Sequence, residues 1–177
     1  MDDKLLKKIE FQATIIRDTL YNIALYRALS FYIDKVKKNC DIYYSFINNT
    51  MCMICIRWCN LFGAYSEENH WTQTVSDENQ NFIRNEILFK VCGGEDGWND
   101  YFNTIKDFRD YYVAHFKEEG FSKVVPNLDN AKNILIMMLN KLSEIYEISS
   151  LSTELFYENT LEDLKDFVSN KLINSFK

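Results

Sequence analysis

Turn-forming residues are scarce in this chain, whose 177 residues include only five glycines and one proline. A β-sandwich or barrel needs a turn about every 8 to 12 residues, and Gly and Pro supply many of those turns. Apolar residues make up 47% of the sequence, and at this length a core can form without disulfides or a metal. We therefore expect one all-α domain over residues 1–177, built from a few long helices.

Apolar residues recur at steps of three and four along most of the chain, which is the spacing of a helix with one buried face. Residues 4–38 fit either one long helix or two, and the next helix is expected to end at Gly63. The glycine-rich stretch 93–97 and the stretch from Gly120 to Pro126 predict breaks between helices. Predicted helices cover residues 4–38, 41–62, 67–75, 79–91, 98–117, 128–145 and 161–176.

The charge balance limits how the chain can bind a polyanion. Its formal net charge is −6, which argues against affinity for nucleic acid based on a large basic surface. Residues 1–40 are the exception, because they hold eight Lys and Arg against five Asp and Glu. We interpret this excess mainly as a solvated helix face, with an RNA-facing patch as the alternative.

The N-terminal sequence lacks the pattern of a signal peptide, and no run of eighteen uncharged apolar residues occurs. The five cysteines are odd in number, which suits a reducing compartment better than a disulfide framework. We expect a cytoplasmic protein without a membrane partner.

Three cysteines and one histidine are the candidate metal ligands. Cys52, Cys55 and Cys59 lie on one side of a predicted helix, where they are expected to pack as small apolar side chains. A structural zinc site needs a fourth ligand, and none is spaced for it. His70 is expected to be a surface or capping histidine. We predict no metal and no cofactor.

The segment from Trp98 to Phe116 is the most informative. At about 100° per residue its aromatic side chains form one apolar arc. Arg109 falls within that arc and His115 on its edge. A guanidinium stays charged at physiological pH, so an enclosed Arg109 must find a carboxylate, a carbonyl or an anion. Either it pairs with an acid on another helix while His115 hydrogen-bonds within the core, or the arc ends in a cleft or subunit interface where Arg109 meets a phosphate.

The residues from Arg109 to His115 resemble the signature of the HEPN (higher eukaryotes and prokaryotes nucleotide-binding) superfamily, an Arg with a polar residue after it and a His after four to six intervening positions. Here five residues intervene, and the polar residue is Asp110. The segments 56–63, 69–71 and 125–128 are similar to the AbiU-like abortive-infection branch, so the resemblance spans residues 40–140.

The resemblance implies an up-and-down helical bundle, often dimeric, and a metal-independent endoribonuclease that acts in toxin or antiphage defence. His115 would act as acid or base on the ribose 2′-oxygen or the leaving 5′-oxygen, since an unperturbed histidine has a pKa near ~6.5. Arg109 would hold the scissile phosphate. Asp110 would orient either side chain, and Tyr111 would contact a base or phosphate.

Arg109 and His115 lie about 120° apart on a regular helix, too far to bind one phosphate together unless Arg109 reaches across, the helix is distorted or a second subunit contributes. A homodimer with a shared cleft answers this difficulty most simply. Related systems also suggest a nucleotidyltransferase-like antitoxin as a partner, with RNA as the substrate.

Two other interpretations stay open. A catalytically inactive HEPN-like module would use the same Arg and His to bind a nucleotide or a protein, and the acidic surroundings of the motif favour this alternative. A plain helical structural protein would contain the motif by coincidence.

Overall fold

The computed structural model describes residues 2–35, 40–114, 125–148 and 156–172. Within these ranges the chain is all-α, with six helices and no strand. Four are α1 (Asp3–Phe31), α2 (Asp41–Phe62), α4 (Glu95–Phe108) and α5 (Leu128–Tyr146). Helix α3 runs as Asp77–Phe82, a π-helical segment Ile83–Phe89 and a last turn Lys90–Cys92, and α6 as Phe156–Phe167 followed by π-helical Val168–Leu172. The predicted fold class is confirmed.

Helix α1 lies at the centre of the bundle. It packs against α2, α5 and α6, and its buried side chains include Ile9, Ile16 and Leu20. The Tyr43 hydroxyl donates to the Leu29 carbonyl at 2.7 Å, while Arg57 pairs with Asp18 at 3.3 Å. Since later residues of α2 contact earlier residues of α1, these two helices are antiparallel.

Helix α2 has the predicted bounds, and Gly63 directly follows it. A Cβ at Gly63 would lie 2.3 Å from the Cys59 carbonyl oxygen, so the chain can turn here only with glycine. The predicted turn at residues 93–97 is also present, because Gly93 and Gly94 have φ values of 84° and 122°. Gly97 instead lies in the first turn of α4.

Some predicted boundaries differ from the structure. Helix α1 ends at Phe31, α4 begins at Glu95, and α6 begins at Phe156. The predicted helix over 67–75 is wrong, since the structure has only a three-residue 3₁₀ turn, Trp71–Gln73, in that region. Most of the predicted break between Gly120 and Pro126 lies outside the described residues. No helix in the described part of the chain combines the length and the apolar character needed to cross a bilayer.

Candidate active site

Helix α4 is anchored in the core and leads directly into the predicted motif, which begins at Arg109. Tyr101, Ile105 and Phe108 are buried along one face. The Tyr101 ring meets the Trp58 ring edge-on at 5.9 Å, and its hydroxyl donates to the Asn127 carbonyl at 2.8 Å. Helix α4 is thereby fixed both to α2 and to the segment before α5.

The motif itself lies in a π-helical segment, Arg109–Ala114, that continues α4. We call it the motif π-turn. Helices of this kind are rare and often mark functional sites. Because π-helical turns contain more residues than α-helical turns, the angular positions calculated for a regular helix do not apply beyond Phe108. The helix is therefore distorted within the motif, which is one of the predicted alternatives. His115 lies outside the described residues.

Arg109 is held by the residue that follows it. Its Nε–H and Nη2 groups both lie 2.7 Å from Oδ1 of Asp110, and Lys106 Nζ lies 3.7 Å from Oδ2. The side chains of Arg109 and Asp110 are each 33% exposed. Among the residues that the structure describes, the ion pair of Arg109 thus forms within one helix and at the surface, and not with an acid on another helix. Asp110 contacts Arg109 as an orienting residue would, and that role stays a prediction.

The surroundings keep Arg109 charged. Burial alone would lower the pKa of Arg109, but the hydrogen bond to Asp110 and the negative charge of Glu67 are among the effects that outweigh it and raise that pKa. Glu67 belongs to the segment between α2 and the 3₁₀ turn, so this segment lies close enough to influence the motif. Tyr111 is half-buried on the motif π-turn, and its predicted contact with a base or phosphate stays a prediction.

The cysteines lie in or against the core. Cys55 and Cys59 are buried, as the helical spacing predicted, and Cys52 is half-buried. Burial raises the pKa of Cys59 to about 11, with Arg109 acting in the opposite direction, so the thiol is protonated at neutral pH. Among the described residues, no cluster of three or more His, Cys, Asp or Glu side chains is arranged to hold a metal ion.

His70 fits one of its two predicted alternatives, the capping residue, and not the other, the surface residue. Its Nδ1 accepts from the Thr72 backbone N–H, which makes it the predicted cap, but the residue is only 2% exposed and does not lie on the surface. Gln12 of α1 helps to hold His70 in this buried position, because its Nε2 donates to the carbonyls of His70 at 2.9 Å and Asn69 at 3.3 Å. Burial lowers the pKa of His70 to about 4.

Sequence reasoning also missed a cavity of about 260 Å³ beside His70. Its aromatic lining comes from three separate segments and comprises Phe62, Tyr65, Trp71, Phe89, Trp98 and Phe102, together with the His70 ring. Its polar lining comprises Arg84, Glu95 and Asn99. We call it the aromatic cavity. The density of aromatic residues in the sequence was the available signal, but helical periodicity alone assigns them all to the core.

Comparison with protein-family models, with curated proteins and with solved structures finds no match to this chain.

Proposed function

We propose that this protein is a metal-independent endoribonuclease of the HEPN type that acts in toxin or antiphage defence in the cytoplasm. The observation that carries the proposal is the setting of Arg109, a charged, one-third exposed guanidinium on the first residue of a π-helical segment. In the part of the chain that the structure describes, Asp110 is the carboxylate that bonds this guanidinium directly, and it leaves further N–H donors that can bind an anion.

The proposed reaction needs nothing beyond substrate and side chains. His115 removes the proton from a ribose 2′-hydroxyl, the 2′-oxygen attacks the adjacent phosphorus, and the bond to the 5′-oxygen breaks with return of a proton. Arg109 binds the phosphate oxygens and stabilises their growing negative charge. The products are a 2′,3′-cyclic phosphate and a free 5′-hydroxyl. The attacking oxygen belongs to the RNA, so no metal is needed to generate a nucleophile.

Asp110 limits which donors of Arg109 are available to a phosphate. It occupies Nε and Nη2 of Arg109, and its second oxygen faces Lys106. A phosphate therefore binds at the remaining guanidinium donors, or it displaces Asp110 from one of them. In the proposed homodimer, His115 of one protomer and Arg109 of its partner line a shared cleft, and a nucleotidyltransferase-like antitoxin restrains the enzyme.

The same ion pair is the specific observation that favours the second candidate, an inactive nucleotide-binding or protein-interaction module. Asp110 and Glu67 are both close enough to affect Arg109. A guanidinium whose charge is already balanced by acids suits a structural contact or a weakly bound nucleotide better than catalysis on RNA.

Cleavage of single-stranded RNA in excess chelator tests the proposal. We expect products ending in 2′,3′-cyclic phosphate, with activity lost in Arg109→Ala and His115→Ala. Arg57→Ala is the matched control, because Arg57 is also an ion-paired surface arginine, with a side chain 27% exposed. Cleavage that persists in Arg109→Ala contradicts the proposal, and RNA that is bound but stays intact supports the module.

A further inference from the structure

The aromatic cavity combines flat stacking surfaces with polar groups, which is the composition of a site for a small planar ligand. The half-buried Trp98 ring meets the buried Phe62 ring edge to face at 5.8 Å. The Tyr65 ring lies 4.7 Å from the buried His70 ring. Tyr65 is 65% exposed, so its ring is open to solvent.

The polar groups of the cavity have opposite charges. Arg84 lies on the π-helical segment of α3 and Glu95 is the first residue of α4. An arginine can stack on a base or bind a phosphate, and a carboxylate accepts hydrogen bonds from amino and imino groups on a base edge. The His70 ring is fixed in place beside them, because its Nδ1 lies 2.7 Å from the Thr72 hydroxyl oxygen.

The cavity and the motif share one helix and one connecting segment. Trp98 and Phe102 precede Arg109 by eleven and seven residues on α4 and its continuation, and Phe102 to Arg109 is a rise of about 10 Å. The segment that supplies Tyr65 and His70 to the cavity also supplies Glu67 near Arg109. A strand of a few nucleotides can span that distance.

A second cleft is lined in part by the same connecting segment, which follows α2 and contains His70. Its volume is about 520 Å³, and three lysines and one carboxylate are among the residues that line it: Lys4, Lys7, Lys8, Phe11, Gln12, Glu68 and Asn69. Asn69 directly precedes His70, and Gln12 holds the carbonyls of both. Positive charge beside aromatic side chains is the usual composition of a groove for single-stranded nucleic acid.

From this arrangement we propose that the aromatic cavity binds one nucleobase by stacking, with Glu95 accepting hydrogen bonds from the base edge and Arg84 contacting the phosphate or the base face. Guanine presents two adjacent N–H donors to a carboxylate, so a guanine base is the expected occupant. The inference rests on the proposed function where the base belongs to an RNA strand, and it stands without that function where the base belongs to a free nucleotide.

Calorimetric titration of the full chain with GMP and with ribose 5-phosphate tests the cavity. We expect GMP to bind and ribose 5-phosphate, which has no base, to bind at least about tenfold more weakly. Asn99→Trp should fill the cavity and weaken GMP binding by about tenfold or more. Asn103→Trp is the matched control, because Asn103 is an exposed asparagine of the same helix that does not line the cavity.

A second pair of variants covers the case in which Asn99→Trp does not fold. Arg84→Gln and Lys90→Gln each remove one cation from α3, and only Arg84 lines the cavity. Weaker GMP binding in Arg84→Gln alone supports the proposal. Equal binding of GMP and ribose 5-phosphate, or equal effects within both variant pairs, overturns it.

The source of the base is found with a ten-nucleotide single-stranded RNA, titrated into the Arg109→Ala background so that cleavage does not interfere. If Asn99→Trp weakens binding of both the RNA and GMP, the cavity binds a base of the strand. If it weakens only GMP binding, the cavity binds a free nucleotide. The ribonuclease assay is scored separately, so failure of the catalytic proposal leaves the GMP result intact, and failure of the GMP result leaves the cleavage result intact.

Discussion

Residues 63–76, which join α2 to α3 and which we call the His70 segment, hold their ionisable side chain in the opposite way to the motif π-turn. His70 is 2% exposed and is surrounded by neutral hydrogen bonds, and burial lowers its pKa to about 4. Arg109 is 33% exposed and is bound by a carboxylate, which contributes to a raised pKa. One segment keeps its residue uncharged and inside, while the other keeps its residue charged and accessible.

This difference indicates that the His70 segment has a structural role, whereas the motif π-turn holds the side chain that is proposed to bind phosphate. The His70 segment forms walls for two openings, the aromatic cavity and the lysine-lined cleft, so its stability fixes their shape. The motif π-turn presents a cation that an anion can reach. A buried neutral imidazole is poorly suited to exchanging protons at neutral pH, which agrees with the proposal that His115, and not His70, acts as acid and base.

The largest expected effect comes from Gln12→Leu, which keeps the side-chain volume but removes the polar anchor of the His70 segment. Gln12 donates to two carbonyls and accepts from the Thr74 hydroxyl at 2.6 Å. Buried groups left without partners lower stability by about 1–3 kcal/mol each, so we expect the free energy of unfolding to fall by about 3 kcal/mol. Urea denaturation measures it.

Gln73→Leu is the control for this change, because Gln73 is an exposed residue of the same segment whose side chain donates to the Tyr65 carbonyl. We expect it to alter stability by no more than about 0.5 kcal/mol. Equal losses in the two variants would show that the segment is not held by α1.

A smaller effect is expected from pH. The unfolded chain protonates His70 near pH ~6.5, whereas burial lowers the native pKa to about 4. The unfolded state therefore binds more protons between these values, and stability falls as the pH drops from 6.5 towards 4. His70→Asn retains a capping acceptor and does not titrate. From pH 7 to pH 5 the wild type should lose about 2 kcal/mol more than this variant.

Urea titrations of both proteins at pH 7 and pH 5 measure this loss. Both proteins contain the same carboxylates and His115, so the contributions of these groups cancel when the two losses are subtracted. Identical pH dependence in the two proteins would mean that the His70 ring is protonated as readily in the native state as in the unfolded one.

The outline of the fold could be predicted because it depends on local signals. Helix α2 was predicted from Asp41 to Phe62 since its apolar side chains follow a regular period and Gly63 ends it. The helix predicted over 67–75 was wrong because the backbone conformation of that region depends on hydrogen bonds from a residue distant in sequence. Gln12 binds the carbonyls of Asn69 and His70 from 57 and 58 positions away, and no pattern within the segment shows it.

A comparable signal was present on α1. Gln12 is a polar residue beside Ala13 and between Ile9 and Ile16 on the buried face, and such a residue needs a partner inside the protein. The sequence did not say which one. Nor could it place the π-helical segments at Ile83–Phe89 and Arg109–Ala114, because a projection at a fixed angle assumes a regular α-helix.

The candidate site was predicted in part. Arg109 was predicted inside a regular helix over 98–117, whereas it begins the π-helical segment that follows α4, and it has the negative partner that the sequence required. Its partner is the adjacent Asp110, and the projection could not show this because neighbouring residues lie about 100° apart on a regular helix. The catalytic roles of Arg109 and His115 and the supporting roles of Asp110 and Tyr111 stay predictions.

The smallest expected effect is the coupling between Arg109 and Asp110, measured by a double-mutant cycle with Arg109→Ala and Asp110→Asn. Surface ion pairs contribute about 0.2–1 kcal/mol, and these two side chains are each 33% exposed. The coupling should weaken further from 0.1 M to 1 M salt, as the screening length falls from about 10 Å to about 3 Å. A parallel cycle with Arg57→Ala and Asp18→Asn should give a similar value, since that pair is also partly exposed. Coupling above about 2 kcal/mol that does not change with salt would show that Arg109, like His70, has a structural role inside the protein. Arg109 would then not be available to bind the phosphate of the proposed reaction.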